Sequence, residues 1–243
     1  MLLIHGWTLD LEMWEPQVRA LCRSFRIIRY DRRGFGLSSG RPSLADDVSD
    51  ARTLCRHLQL HPVAVLGMSQ GARVAAHLAA ASPGKVSCVV FDGAPSGIFE
   101  DEEPAESDIP ITHYRALVRS GAISDFRQAW CTHPLMRLRT ADVATHRLLS
   151  RMLERYPARD LRESDPVSSP MLAPLAAGAI QSPALVISGA LDLSSGLQAA
   201  DRLARAISAS QREIVPDAGH LPNLDNPRVY NEQLRRFLTR FAS

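Results

Sequence analysis

The chain has 243 residues, of which 45% are hydrophobic and 22% charged, and its formal net charge is +2. This length fits one α/β domain with a modest insertion, and the absence of a basic stripe with interleaved aromatic residues argues against a nucleic-acid partner. No apolar run has the length of a membrane span and the start lacks the order of a signal peptide, so we expect a cytoplasmic protein without a membrane partner.

The cysteines and histidines show no metal-binding pattern. The spacing of His57 and His61 is i, i+4, but no third ligand is in view, so the sequence predicts neither a metal site nor a cofactor. The cysteines form neither a C-x-x-C pair nor a zinc spacing, and we interpret them as small buried hydrophobes in a reducing compartment. They are Cys22, Cys55, Cys88 and Cys131.

The first predicted strand, residues 1–4, runs into the loop His5-Gly6-Trp7, and a helix is predicted over 10–21. A second strand at 25–30 ends in a glycine-punctuated loop. Ser43 then stands three residues before Asp46, which indicates a helix cap, and the next helix extends to about residue 58.

The strongest motif is Gly67-Met68-Ser69-Gln70-Gly71, preceded by the apolar run 63–66 and followed by an alanine-rich helix at 70–81. A strand, a G-x-S-x-G and a helix are the layout of a nucleophile elbow, which exposes one serine hydroxyl. Glycines are needed two residues to either side, where side chains would collide with each other and with neighbouring strands. A surface serine in a glycine turn is the alternative, and the flanking elements favour the elbow.

A continuously apolar strand at 86–91 follows and ends at Asp92. Continuous hydrophobicity is typical of a parallel sheet that is covered on both faces. The alternation of strands and helices therefore predicts an open, mostly parallel α/β sheet with helices on both faces, and ligands bind outside the carboxyl ends of such strands.

The alternation of strands and helices breaks after the strand at 86–91 and resumes with a strand at 183–188. We interpret 96–181 as a helical cap inserted into a core made of 1–95 and 182–243, and the acidic run 100–104 as a solvated face. Helices are predicted at 111–119, 123–130 and 141–155 in the cap; strands at 183–188 and 212–215 and helices at 197–207 and 227–241 complete the core.

Three candidate catalytic residues each follow a predicted strand, so a parallel sheet would bring them to one edge. Serine is a poor nucleophile until a base removes its proton, and a carboxylate must orient that base. We assign Ser69 as nucleophile, His220 as general base and then acid, and Asp192 as the orienting group. Asp92 also ends a strand and is an alternative acid, whereas Asp217 and Asp225 are candidates for capping turns near the histidine.

The oxyanion formed on acyl attack needs two donors. The backbone N–H groups of Gln70 and Trp7 are the candidates, with His5 shaping the loop by hydrogen bonding. Trp7, Met68 and Trp130 are candidate pocket residues, although apolar side chains at such positions are at least as often core. Arg32 and Arg33 are interpreted as structural.

The motifs at 5–7, 31–38, 67–71, 189–192 and 219–220 together resemble the α/β-hydrolase superfamily over nearly the whole chain. The resemblance implies a serine hydrolase that cleaves a small or medium carboxylic ester or lactone through an acyl-enzyme. Relatives with the same triad include C–C bond hydrolases, perhydrolases and aminopeptidases. Residues 219–227 are similar to enol-lactonase-like members, and 5–7 to pimeloyl-carrier methyl-ester esterases. A binding protein that holds a small molecule under the cap without turnover is the alternative from another class.

The chain departs from the family at its start, which lies inside the strand that ends in His-Gly. Family members carry two earlier strands that cover the outer edge of the strand at 25–30. We therefore expect a chain truncated relative to its natural form, or an apolar edge near Ile27 that pairs with a second copy in a homo-oligomer. The Trp7 amide would then be poorly anchored, and losing one oxyanion donor costs on the order of 100- to 1000-fold in turnover.

Overall fold

The computed structural model describes residues 1–100, 108–162 and 172–241. Within these residues, six strands form one parallel sheet, which confirms the predicted α/β architecture. The strands are β1 (Leu2–Ile4), β2 (Ile28–Tyr30), β3 (Val63–Met68), β4 (Val86–Asp92), β5 (Ala184–Gly189) and β6 (Ser210–Val215). Their order across the sheet is β2-β1-β3-β4-β5-β6.

The helices alternate with the strands, except between β4 and β5, where several follow one another. They are α1 (Glu15–Leu21), α2 (Leu44–His57), α3 (Gln70–Ala80), α4 (Ile111–Arg119), α5 (Ile123–Cys131), α6 (Val143–Arg155), α7 (Arg159–Arg162), α8 (Ser194–Ala206), α9 (Pro222–Asp225) and α10 (Pro227–Phe241).

Two apolar clusters cover the two faces of the sheet. In β1, Leu3 joins the cluster that contains Trp14 of the first helical turn, whereas Leu2 and Ile4 join the cluster that contains Val74 of α3. All six residues of β3 and all six of β5 are buried. The central strands are continuously apolar because they are covered from both sides.

Several helix starts follow local chemistry that the sequence indicates. The Ser43 side chain accepts a hydrogen bond from the Asp46 backbone N–H, so the predicted cap of α2 is confirmed. The helix predicted over 10–21 is a 3-10 turn, Leu11–Trp14, followed by α1. Pro16 fits there because its missing N–H falls in the first turn of α1, where no helical partner exists.

The strand predicted at 25–30 is shorter in the structure, and β2 forms an edge of the sheet with β1 as its strand neighbour. Ile27 and Ile28 are half-buried against the two apolar clusters. The sheet edge therefore lies where the sequence predicts it. That a second copy of this chain covers the edge stays a prediction.

The interpretation of all four cysteines as buried is wrong for two of them. Cys55 and Cys88 are buried, but Cys22 and Cys131 are exposed. Cys22 directly follows α1 and Cys131 ends α5, and both helix ends face solvent.

No helix in the described ranges is long and apolar enough to cross a bilayer.

The stretch between β4 and β5 supplies α4 to α7, and the three predicted helices there agree closely with α4, α5 and α6. α4 packs against α5 and α7, and α6 packs against the turn Leu11–Trp14 of the core. Most of the acidic run 100–104 lies outside the described residues. The division into a core and a cap stays a prediction.

Candidate active site

The strand-to-helix turn after β3 holds Ser69 in a strained backbone conformation, with φ 51° and ψ −114°. On each side of Ser69, two residues away, lies a glycine that another part of the backbone approaches closely. A Cβ at Gly67 would lie 2.1 Å from the carbonyl oxygen of Gly71, and a Cβ at Gly71 would lie 2.3 Å from that of Ile4. Real side chains do not tolerate such distances, so these two positions need glycine for the reason that the sequence indicates.

Gln70 begins α3 directly after Ser69. Its backbone N–H is one of the first N–H groups of a helix, which have no acceptor within the helix, and the positive end of the helix dipole lies at the same point. The Gln70 side chain is held from outside, since Arg32 Nη2 donates to Gln70 Oε1 at 3.0 Å. The arrangement leaves a backbone donor beside the serine.

His5 and Arg32 brace the loop after β1. His5 Nε2 accepts from the Arg32 backbone N–H at 2.9 Å, so its Nδ1, 2.8 Å from the Gly6 carbonyl oxygen, is the donor. Burial, together with the charge of Arg32, lowers the pKa of His5 well below its ordinary value. The Arg32 guanidinium is itself buried in an ion pair with Asp47 at 3.0 Å. His5 is thus a neutral structural histidine, in line with the role expected of it.

His220 lies in the loop after β6, and its Nδ1 is 3.0 Å from Asp192 Oδ2 in the loop after β5. The Asp192 side chain is 1% exposed, and its other oxygen accepts from the Leu193 backbone N–H at 2.8 Å. Burial lowers the pKa of His220, but the charge of Asp192 and its hydrogen bond, with smaller contributions from Asp92 and Asp108, outweigh burial and raise it. The imidazole is therefore both oriented and made more basic.

Asp92, the alternative acid, has a different partner. The Tyr230 hydroxyl donates to Asp92 Oδ2 at 3.1 Å, and Asp92 Oδ1 is buried without a hydrogen-bond partner. Burial raises the pKa of Asp92 to about 8, against the lowering effects of the His220 charge and the Tyr230 hydrogen bond. Burial thus favours the neutral form of Asp92, and Asp92 contacts the elbow through its backbone, whose oxygen accepts from the Ser69 N–H at 2.9 Å.

A pocket opens at this edge of the sheet, enclosing about 240 Å³ of space when its open side is counted. It brings together Ser69, His220 and the three residues predicted to line it. The remaining residues, from the stretch between β4 and β5, are apolar. The lining consists of Trp7, Met68, Ser69, Ile109, Trp130, Leu135, Met136 and His220.

Several hydrogen bonds join the stretch between β4 and β5 to the rest of the described chain, and sequence reasoning missed most of them. Trp7 Nε1 donates to Asp160 Oδ2 at 2.6 Å, and no motif marks Asp160. Asp225, expected near the histidine, accepts from the Gly219 backbone N–H at 2.8 Å and from that of Arg139 at 2.6 Å. One carboxylate therefore joins the histidine loop to the segment after α5.

The described residues contain no group of three or more His, Cys, Asp or Glu side chains that could hold a metal ion. This edge of the sheet brings together a serine, an imidazole and a buried carboxylate, beside the first backbone N–H groups of α3.

Comparison with known proteins decides the family. The model of the α/β hydrolase fold matches residues 1–227. The chain belongs to the α/β hydrolase fold family. Within this family, a Bacillus subtilis protein with the provisional name 2-succinyl-6-hydroxy-2,4-cyclohexadiene-1-carboxylate synthase is 27% identical, over 97% of this chain and 89% of that protein.

Other similar proteins align over equally long stretches. The pimeloyl-[acyl-carrier protein] methyl ester esterase of Pectobacterium atrosepticum is 25% identical over 98% of this chain and 93% of the esterase. The structure of a thermophilic esterase from Thermogutta terrifontis superposes with a TM-score of 0.76 at 25% identity, covering 98% of this chain and 89% of that one. The esterase names of these two proteins support the conclusion that this chain is an enzyme.

Proposed function

We propose that this α/β hydrolase is a serine hydrolase that cleaves a small or medium carboxylic ester or lactone through an acyl-enzyme. The observation that carries the proposal is the 3.0 Å contact between His220 and Asp192, with His220 sharing a pocket with Ser69 at a strained elbow. Two of the similar proteins named above are esterases, which supports the same reaction.

In the acylation step, His220 Nε2 takes the proton of the Ser69 hydroxyl while Oγ attacks the carbonyl carbon of the substrate. Asp192 holds Nδ1–H and stabilises the imidazolium that forms. The carbonyl oxygen becomes an oxyanion, and the backbone N–H groups of Gln70 and Trp7 are the proposed donors to it. When the intermediate collapses, the bond to the alcohol oxygen breaks and the imidazolium protonates that oxygen.

Deacylation repeats the sequence with water as nucleophile. His220 removes a proton from water, the hydroxide attacks the acyl carbon, and the proton returns to Ser69 Oγ as the acid leaves. In a lactone the leaving alcohol remains attached to the acyl group, so a hydroxy acid is released. The hydrogen bond from the Leu193 backbone N–H holds the Asp192 side chain in place beside His220.

The pocket lining favours an apolar group on the substrate. Apart from Ser69 and His220, its residues are tryptophans, methionines, a leucine and an isoleucine, and no arginine or lysine of the described residues is among them. A carboxylate on the substrate would lose water there without gaining a cation. The proposed substrate is therefore an uncharged ester or lactone with a short apolar acyl chain.

Active-site labelling tests the reaction class. A fluorophosphonate probe should modify Ser69 in the folded protein, and Ser69→Ala should abolish both the labelling and the hydrolysis of p-nitrophenyl esters. Ser87→Ala, which changes a serine on β4, serves as the matched control and should label normally. A folded protein whose Ser69 does not react would indicate the binding-protein alternative instead.

A substrate panel tests the specificity. p-Nitrophenyl acetate, butyrate and octanoate, a set of lactones and an ester with a free carboxylate should be compared by kcat/KM. Short uncharged esters are expected to exceed the carboxylate-bearing ester by at least ~10-fold, because burying an unpaired charge costs more than 1 kcal/mol. A preference for the charged ester would contradict the apolar assignment of the pocket.

A further inference from the structure

The loop that carries the proposed oxyanion donor is fastened from the stretch between β4 and β5. Asp160 Oδ2 accepts from Trp7 Nε1 at 2.6 Å, and Asp160 Oδ1 accepts from the Tyr156 hydroxyl. Both donors are neutral. Among the described residues no arginine or lysine is in ion-pair contact with Asp160, so hydrogen bonds from two aromatic side chains hold this carboxyl group. Burial raises the pKa of Asp160, and these hydrogen bonds and the charge of Arg32 offset the rise only in part. Burying a carboxyl group with only neutral hydrogen-bond donors costs stability, and groups of this kind are candidates for a functional role.

The Trp7 side chain has little freedom once this bond forms. Its indole is 5% exposed, and its ring centroid lies 4.9 Å from that of Trp130, 6.1 Å from Tyr156 and 6.4 Å from Phe126. Ring packing restricts the indole plane, and the bond to Asp160 fixes its rotation within that plane. The position of the Trp7 backbone is then restricted as well, because only the χ1 and χ2 torsions separate it from the fixed ring.

The next residue shows that the backbone of this loop is held in place against strain. Thr8 has φ 63°, an outlier for a β-branched residue that costs about 1–3 kcal/mol. Its hydroxyl accepts from Trp130 Nε1 at 2.7 Å and donates to the Trp7 carbonyl oxygen at 2.6 Å. The peptide after Trp7 is thus tied to α5, as the Trp7 side chain is tied to α7.

The loop also lies close to the elbow. A Cβ at Gly6 would be 2.5 Å from Met68 Sδ and 3.6 Å from Ser69 Cβ. A shift of the loop by about 1 Å would therefore change the distance from the Trp7 N–H to the oxyanion, and errors of this size in a catalytic site are costly.

We propose that Asp160 is a positioning residue of the oxyanion hole: by holding the Trp7 indole, it fixes the Trp7 backbone N–H where the oxyanion forms. The inference rests on the proposed serine hydrolase reaction. The loop after β1 is thereby secured by α5 and α7, in addition to the hydrogen bond between Arg32 and His5.

Kinetics of Asp160→Ala and Trp7→Phe test the proposal with a p-nitrophenyl ester. Each substitution should lower kcat by about 10- to 100-fold and change KM by less than ~3-fold, because an oxyanion donor acts on the transition state. Affinity for an alkyl boronic acid, which forms a tetrahedral adduct with the serine, should fall by the same factor as kcat. The kcat of the double variant should be within ~2-fold of the kcat of the less active single variant, because both substitutions remove the same interaction.

Two further variants separate positioning from plain stability. Asp160→Asn keeps an acceptor for Trp7 and should recover activity to within ~5-fold of wild type. Arg155→Gln removes the ion pairs from α6 to Asp10 at 2.7 Å and to Glu12 at 2.9 Å, which also join the stretch between β4 and β5 to the segment after β1, and it leaves the bond between Trp7 and Asp160 in place. It should lower the thermal midpoint and leave kcat within ~2-fold.

Wild-type kcat in Asp160→Ala, or an effect confined to KM, would overturn the proposal. So would a wild-type kcat in Trp7→Phe, a measurement that remains valid if the alanine variant fails to fold. Fluorophosphonate labelling keeps the two proposals apart. If wild type does not react, the serine hydrolase reaction itself fails, whereas equal labelling rates in wild type and Asp160→Ala reject the role of Asp160 alone.

Discussion

The Nδ1 atom of His220 lies 3.0 Å from Asp192 Oδ2, although the two residues follow different strands of the sheet. Asp192→Asn would place an amide where the carboxylate accepts this hydrogen bond, so the histidine would lose its orientation and its charge partner. We expect kcat to fall by about 10³- to 10⁴-fold with an unchanged thermal midpoint. Ester hydrolysis and circular dichroism melting check this, and near-normal turnover would assign the acid role to Asp92.

The pH dependence of kcat/KM should reflect the raised pKa of His220. The general base must be neutral, so activity should rise with pH and reach half its maximum above the ordinary histidine value of 6.5. Asp192→Asn removes the two main influences that raise this pKa, and its acidic limb should therefore move to lower pH. An acidic limb below pH 6 in the wild type would contradict the basic character assigned to the imidazole.

Stability above neutral pH should improve when Asp92 becomes asparagine. The pKa of the Asp92 carboxyl is raised from 3.8 to about 8 in the folded chain, so between these values the unfolded chain loses a proton that the folded one keeps. The free energy of unfolding therefore falls as pH rises through this window. Asp92→Asn should raise it by at least ~1 kcal/mol at pH 8, and by much less near pH 4.

Urea unfolding of both proteins at pH 4 and pH 8 measures that difference, and ester hydrolysis provides the control. Because Asp92 bonds to Tyr230 and not to His220, activity should stay within about 3-fold of wild type at pH 7. A large loss of kcat in a folded Asp92→Asn would show that this carboxyl takes part in the reaction.

The elbow should not tolerate a side chain at Gly67, where a Cβ would lie 2.1 Å from the Gly71 carbonyl oxygen. Gly67→Ala should cost about 1–3 kcal/mol of stability and slow fluorophosphonate labelling of Ser69 by at least ~10-fold, because the turn must open. Gly84→Ala is the control: its φ is 74°, but a Cβ there meets nothing within 4 Å. It should lose about 1 kcal/mol and label normally.

Much of the fold could be predicted from the sequence, because its signals are local. The buried strand β3, the glycines around Ser69 and the start of α3 are adjacent in the chain, and the elbow needs each of them. The parallel sheet follows from the alternation of elements. The positions of Asp192 and His220 after strands then predict a shared edge, and the structure brings them within hydrogen-bonding distance.

The contacts around the pocket could not be predicted in this way. Trp7 and Asp160 are 153 residues apart, and a single aspartate in a four-residue helix leaves no periodic or motif signal. Apolar composition likewise did not indicate that Cys22 and Cys131 would face solvent. Both misses depend on how helices pack against one another, which hydrophobic patterns define only loosely.

Asp225 joins the loop that carries His220 to the backbone at Arg139 and Thr140 through a single carboxylate. Replacing the segment that contains these residues, for example to broaden the substrate range, would displace the two amide donors. The replacement would then release the loop of His220 even though none of the proposed catalytic residues had been altered. A chimera that retains residues 139–140 from the parent is therefore the sounder starting point for directed evolution.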